Sequence, residues 1–197
     1  MNAFPQEDQW QLLTEHGIQG GFHGLWVEGN DLDEIVRQVR ADPHSRVECD
    51  LQALLEMLPG QGGDTIWTGP VASGWTHILA FGWYPNHPAI RNLGRRRVFE
   101  IHYQGELSDL EPLNLYYDGV YIGDVTPPYE EGGDMYLPDY RQYANGLALG
   151  DKPTLERCVH LMLCMVGRIT GHFLDRDWFG ATRTMYRIPE SSWGDSW

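Results

Sequence analysis

The chain has 197 residues, 42% of them hydrophobic and 12% aromatic, with eight tryptophans, which is enough for one domain with a substantial core and excludes general disorder. Its net charge of −14 disfavours nucleic acid and anionic membranes as partners and favours a basic protein. No apolar run approaches the roughly 20 residues of a membrane helix, and the opening MNAFPQEDQW lacks the basic and apolar regions of a secretory signal, so the chain reads as cytoplasmic.

The first clear unit is FHGLWVEGNDLDEIVRQVRADP. A short apolar strand, Phe22 to Val27, leads through Gly29 and Asn30 into a helix capped by Asp31, with Glu34 completing a capping box and Leu32, Ile35, Val36 and Val39 on one face. Pro43 closes this unit. Asp50 then caps a second helix carrying Leu51, Leu54, Leu55 and Leu58, which Pro59 and Gly60 stop. Both helices are amphipathic and predicted to lie on a sheet.

Strands follow. TIWTG and GWTHILAFGW flank Pro70 to Ser73 as a hairpin, with Trp75, His77, Leu79 and Phe81 on one face and Thr76, Ile78 and Ala80 on the other. RVFEIHY alternates likewise, Phe99, Ile101 and Tyr103 against Val98, Glu100 and His102. NLYYDGVYIGDV is a hairpin whose Asp118-Gly119 pair suits a type I′ turn. The last strong element, PTLERCVHLMLCMVGRITGHFL, is a helix with Thr154 as N-cap and Gly171 as stop, apolar nearly all round and therefore buried. The tail from about residue 189 is expected to be mobile. The three cysteines, Cys49, Cys158 and Cys164, have no CxxC spacing and read as buried free thiols. Runs of strands between helices predict a single α+β domain, an antiparallel meander covered on one face by helices.

Taken in order, these motifs resemble an uncharacterised actinobacterial family known only as a domain of unknown function. The resemblance is carried by GLWVEGNDLDEIVRQV, the Gly-Trp strand in GPVASGWTHILAFGW, the hairpin and loop YYDGVYIGDVTPPYEEGGDMYLPD, and the helix closing in VGRITGHFL, over about four fifths of the chain. It departs after Trp83, where the family usually has an asparagine-glycine turn and this chain has YPNHPAIRNLGRRR. The resemblance implies a single-domain fold and no catalytic residue.

Three constellations bear on chemistry. His77, Glu100 and His102 have the residue types of a zinc site, but such residues are common on a half-exposed sheet, and neither metal nor cofactor is expected. Asp118, Asp124, Glu130, Glu131 and Asp134 could divide acid and base roles, while no G-x-S-x-G, phosphate loop or calcium ladder occurs. The third is the window from Gln104 to Tyr140, with nine acids, six tyrosines and no Lys or Arg. Tyr116, Tyr117, Asp118, Tyr121, Asp124, Tyr129, Glu130, Glu131, Asp134, Tyr136, Asp139 and Tyr140 are its candidate partner-binding residues: tyrosines supply contact area, and carboxylates steer a basic partner. Arg91 and Arg95 to Arg97 could pair with this window or clamp a phosphate.

The sequence thus points to a protein-binding module, an inhibitor or immunity protein that occludes a basic surface of a toxin or enzyme. The alternatives are a small-molecule-binding protein or enzyme with a pocket lined by Trp67, Trp75 and Trp83, beside His77 and His102, and a regulatory subunit or scaffold.

Overall fold

A computed structural model describes residues 3–58, 63–106, 110–126, 135–147 and 154–193. Among them eight strands form one antiparallel sheet, with helices on both faces: the fold is α+β. The strands are β1 (Phe22–Glu28), β2 (Val47–Cys49), β3 (Asp64–Ala72), β4 (Trp75–Phe81), β5 (Arg97–Tyr103), β6 (Asn114–Tyr117), β7 (Val120–Asp124) and β8 (Arg183–Ile188). Their order is β2-β8-β3-β4-β1-β5-β6-β7. The expected run of hairpins is present as β3-β4 and β5-β6-β7, but β1 is inserted between β4 and β5, with Leu25 opposite Ile78 on one side and Glu100 on the other.

The helices are α1 (Gln9–Glu15), α2 (Leu32–Gln38), α3 (Leu51–Met57), α4 (Pro88–Arg91), α5 (Leu155–Thr170) and α6 (Arg176–Gly180). Sheet side chains alternate between two cores. Phe22 and Trp26 of β1, Trp67, Trp75, Leu79, Phe99, Ile101 and Tyr103 pack against α1, α3, α5 and α6. Leu25, Val27, Ile66, Ile78, Ala80, Val98 and Tyr116 pack against α2 and α4. Helices cover both faces, where one was expected, because the two amphipathic helices α2 and α3 bury their apolar stripes on opposite sides.

Local signals account for the helix ends. The Asp31 carboxylate accepts from the Glu34 N–H at 3.0 Å and the Asp50 carboxylate from the Ala53 N–H at 2.8 Å, each satisfying an orphan donor of the first turn. Helix α5 ends at Gly171, whose φ of 85° closes it in the left-handed region while its N–H bonds the Gly167 carbonyl. Strand β3 runs on through Pro70, and the turn sits at residues 73 and 74. Its outer neighbour β8 pairs only with Asp64 to Thr68, so Pro70 has no ladder bond to donate on that side. Strand β8 and helices α1, α4 and α6 have no counterpart in the sequence expectation. Residues 190–193 form a 3₁₀ turn whose Trp193 ring lies 5.3 Å from that of His87 and under the Arg40 guanidinium.

The β6-β7 turn has the expected geometry, with φ of 51° at Asp118 and 73° at Gly119, both left-handed as a type I′ turn requires. Gly119 also packs on the chain before β5, where an added Cβ would lie 2.3 Å from the Arg91 carbonyl oxygen. Gly119→Val should therefore lower unfolding free energy by about 2 kcal/mol, from strain and displacement of the hairpin together, as read by urea denaturation.

Candidate functional site

The two edges of the sheet differ. At one, β2 is only three residues long and its Glu48 is paired with Arg46 at 2.9 Å, a short charged edge of the kind that resists further pairing. At the other, β7 has no strand neighbour on its outer side among the described residues, apart from a single bridge between Asp124 and Tyr136. Tyr117 and Val120 are cross-strand partners and Ile122 lies two residues along from Val120, so the three share one side. All three are exposed, Tyr117 at 47% and Val120 at 61%, and exposed Met135 adjoins them through the bond from the Asp124 N–H to the Met135 carbonyl at 2.8 Å. This apolar strip lies inside the window that carries nine acids and no cation.

The anticipated partner-binding residues divide sharply. Tyr117, Asp118 and Asp139 are exposed. Tyr116 is not a surface residue: it is 3% exposed, in the core beneath α4. The half-buried Tyr121 donates its hydroxyl proton to Asp124, and burial together with that bond pushes the phenol up. Tyr140 stacks edge-on against Phe99 at 5.8 Å, and Tyr136 is half-buried. Tyr129, Glu130, Glu131 and Asp134 lie outside the described residues. Asp118 lies in the turn and Asp124 ends β7, four steps beyond Val120 and so about 13 Å away at strand rise, too far to act on one bond as an acid-base pair.

Two arginines of the loop meet acids within the chain. Arg97 makes a bidentate contact with Glu28, at 3.0 and 2.7 Å, and this guanidinium holds the Glu28 carboxyl below its ordinary value. Arg95 approaches Asp118 at 3.9 Å with both side chains exposed, a contact of little strength. Val120, Ile122 and Met135 were missed by sequence reasoning. The alternation in VYIGD was the available signal, but only pairing shows that β7 is an edge.

A second polar constellation lies on the α2/α4 side. Glu100 is fully buried. It accepts from His23 Nε2 at 2.8 Å, from the Tyr116 hydroxyl at 2.7 Å and from Asn114 Nδ2 at 3.5 Å. Burial alone would raise the carboxyl, yet the hydrogen bond and charge of His23, with the bonds from Tyr116 and Asn114, outweigh it and hold the group below its ordinary value. Asn86, in the left-handed region at φ 60°, brings its side chain within 2.5 Å of the same hydroxyl. The His23 and His102 rings are 4.9 Å apart, and Trp83 stacks on His87, which meets Asp64 at 3.2 Å. His23 escaped sequence reasoning; its signal was a polar side chain in phase with Leu25 and Val27.

His77 does not join this group. It projects to the opposite face, so the suspected trio with Glu100 and His102 is divided by the sheet. Trp67 and Trp75 are likewise in the core on the other face from Trp83. Among the described residues no group of three or more His, Cys, Asp or Glu side chains could hold a metal ion. The three cysteines are buried and free, and burial pushes the Cys164 thiol up to about 12, which removes it as a nucleophile at neutral pH.

Among the described residues no helix is long and apolar enough to cross a membrane. Searches of protein-family models, curated proteins and solved structures give no match to the chain.

His77 sits between the Trp26 and Trp178 rings, at 4.5 and 4.8 Å, and neither ring nitrogen has a hydrogen-bond partner among the described residues. Burial, with the nearby Arg183 charge, drives its pKa well below the ordinary 6.5. The unfolded chain then takes up a proton that the folded chain refuses, so the stability from neutral His77 is present above pH 6.5 and is lost progressively below it. Thermal unfolding between pH 7 and 5.5 should show a falling midpoint for the wild type and a flatter profile for His77→Leu.

Proposed function

We propose that the chain is a protein-binding module that docks a basic partner along the β7 edge, in the manner of an inhibitor or immunity protein. The observation that carries this reading is the apolar strip of Tyr117, Val120, Ile122 and Met135, exposed beside a strand that has no outer strand neighbour among the described residues and set in a stretch with no cation. Apolar side chains supply the contact area, while backbone groups of β7 can pair with an extended segment of the partner. The surrounding carboxylates raise the rate of encounter and select for arginine and lysine.

The reading shifts weight from the tyrosines to the strip. Tyr116, Tyr121 and Tyr140 are committed within the chain, so a partner would meet Tyr117 and the aliphatic residues of β7. The proximity of Arg95 to Asp118 reduces the net charge near the turn, and acids farther along the window carry more of the attraction. Occlusion of a basic active surface would then inhibit by blocking access, with no chemistry performed by this chain.

The test compares the immobilised wild-type chain with Val120→Lys/Ile122→Lys and with Glu130→Lys/Glu131→Lys in native-host lysate, followed by binding measurements on the purified partner. The strip variant should lose affinity at least about tenfold through faster dissociation. The charge variant should bind more slowly and with a smaller salt dependence. A partner retained with unchanged affinity by both variants would show that another surface is used.

A further inference from the structure

At the edge of the sheet far from β7, where β3 outruns its pairing with β8, lies a pocket of about 320 Å³. Gly69, Pro70, Thr182 and Arg183 line it beside the exposed pair Arg46 and Glu48. Arg183 is the anomaly there. It opens β8 and is only 8% exposed, yet in a chain with 28 acidic residues it has no carboxylate partner among the described residues. Arginine is almost never buried unless paired. Burial lowers its pKa to about 10, against the pull of the Asp175 charge, so the group stays protonated at neutral pH without a counter-ion beside it.

The surroundings account for the charge of the guanidinium in part and for its N–H groups hardly at all. Its central carbon lies over the Trp67 ring at 5.4 Å and over the Trp178 ring at 5.0 Å, two cation–π contacts. The N–H groups point outward in the guanidinium plane, where rings do not accept them. Nη1 donates to the Pro70 carbonyl at 2.8 Å, Nε is closed to solvent without a partner, and Nη2 has no hydrogen bond among the described residues and stays open to solvent. The position of this end of the side chain is fixed. Nη1 is bonded to Pro70 and would lie 2.7 Å from a Cβ added at Gly69, and both of those residues line the pocket, so the guanidinium stands at its wall.

We propose that this pocket binds a small oxyanion, a phosphate or carboxylate group, as the missing counter-ion of Arg183. The anion accepts from Nη2 and from the second N–H of Nη1, the end of the fork that matches paired oxygens. Thr182, which is exposed, offers a hydroxyl, and Arg46 adds a second guanidinium. The contact of Arg46 with Glu48 at 2.9 Å joins side chains that are 59% and 49% exposed, weak enough for Arg46 to turn to the ligand. Glu48 opposes the anion and is held by the Thr184 hydroxyl, which donates to it at 2.8 Å. This site is independent of the β7 reading, since the strip lies on the last strand at the opposite edge and its variants leave the pocket untouched.

The experiment titrates the full chain at pH 7 and constant ionic strength with sodium phosphate, sulfate and acetate, followed by tryptophan fluorescence and by the guanidinium nitrogen resonances of Arg183. At least one anion should bind saturably and move the Arg183 resonances, and preference for phosphate and sulfate over acetate, or the reverse, separates a phosphate site from a carboxylate site. Arg183→Met fills similar space without the charge, a replacement that buried ions commonly tolerate, and should bind at least about tenfold more weakly, the loss expected for a charge-assisted hydrogen bond. Glu48→Gln keeps an acceptor for Thr184 while removing the opposing charge and should tighten binding severalfold; Arg46→Gln should weaken it severalfold. The Glu48→Gln result and the resonances decide the matter even if Arg183→Met fails to fold. Absence of a saturable response to all three anions up to about 10 mM, where even a weak site registers, would overturn the proposal. So would wild-type affinity in Arg183→Met, looser binding by Glu48→Gln, or binding that leaves the Arg183 resonances in place.

Discussion

The structure depends on the placement of β1 between β4 and β5. Without β1 the sheet would fall into two pieces, β2-β8-β3-β4 and β5-β6-β7, with no ladder between them. The ladder from Gly24 to Glu28 on one side and from Phe22 to Val27 on the other joins them into one sheet. A strand in that position is buried on both faces. Leu25, Trp26 and Val27 are all in the core, which explains why its sequence is apolar in both phases. Burying a side chain of this size contributes about 2 kcal/mol, so the central strand is a major source of stability as well as of connectivity.

The same insertion creates the most demanding electrostatic feature of the molecule. Register places His23 opposite His102 and Leu25 opposite Glu100, so His23 reaches Glu100 along the diagonal. A glutamate at that depth is tolerable only with its charge met by donors. They come from β1, from β6 through Asn114 and Tyr116, and the group is backed by Asn86 on the loop after β4. One buried carboxylate thereby ties together three strands and a loop. It also links β1 and β5 to the β6-β7 hairpin, because Tyr116 bonds Glu100 and packs on Tyr121, at 5.6 Å between rings.

Much of the local structure was legible along the chain. The Asp31 and Asp50 caps, the phase of Trp75 to Phe81, the phase of Val98 to Tyr103 and the Asp118-Gly119 turn are interactions between residues close in sequence, and all have the expected form. The acidic window was legible too, since charge is additive along a chain. The use of its tyrosines was not: Tyr116 and Tyr117 are neighbours in one strand, yet one is core and the other surface. Which of the two is inside depends on the register of β6 against β5 and on α4 covering that face.

Taken alone, the sequence determined composition class, the main helices and hairpins, the α+β character and the strong negative charge of residues 104–140. These follow from local periodicity, turn chemistry and counting. Only the tertiary structure decided that β1 enters the middle of the sheet, that β8 returns to pair with β3, and that α2 and α3 take opposite faces. It alone separated His77 from Glu100 and His102, delivered His23 in its place, and made β7 the last strand of the sheet among the described residues. Those outcomes are set by strand pairing between segments far apart in the chain, where the free energy comes from shared burial and ladder hydrogen bonds, and neither is encoded in any single segment.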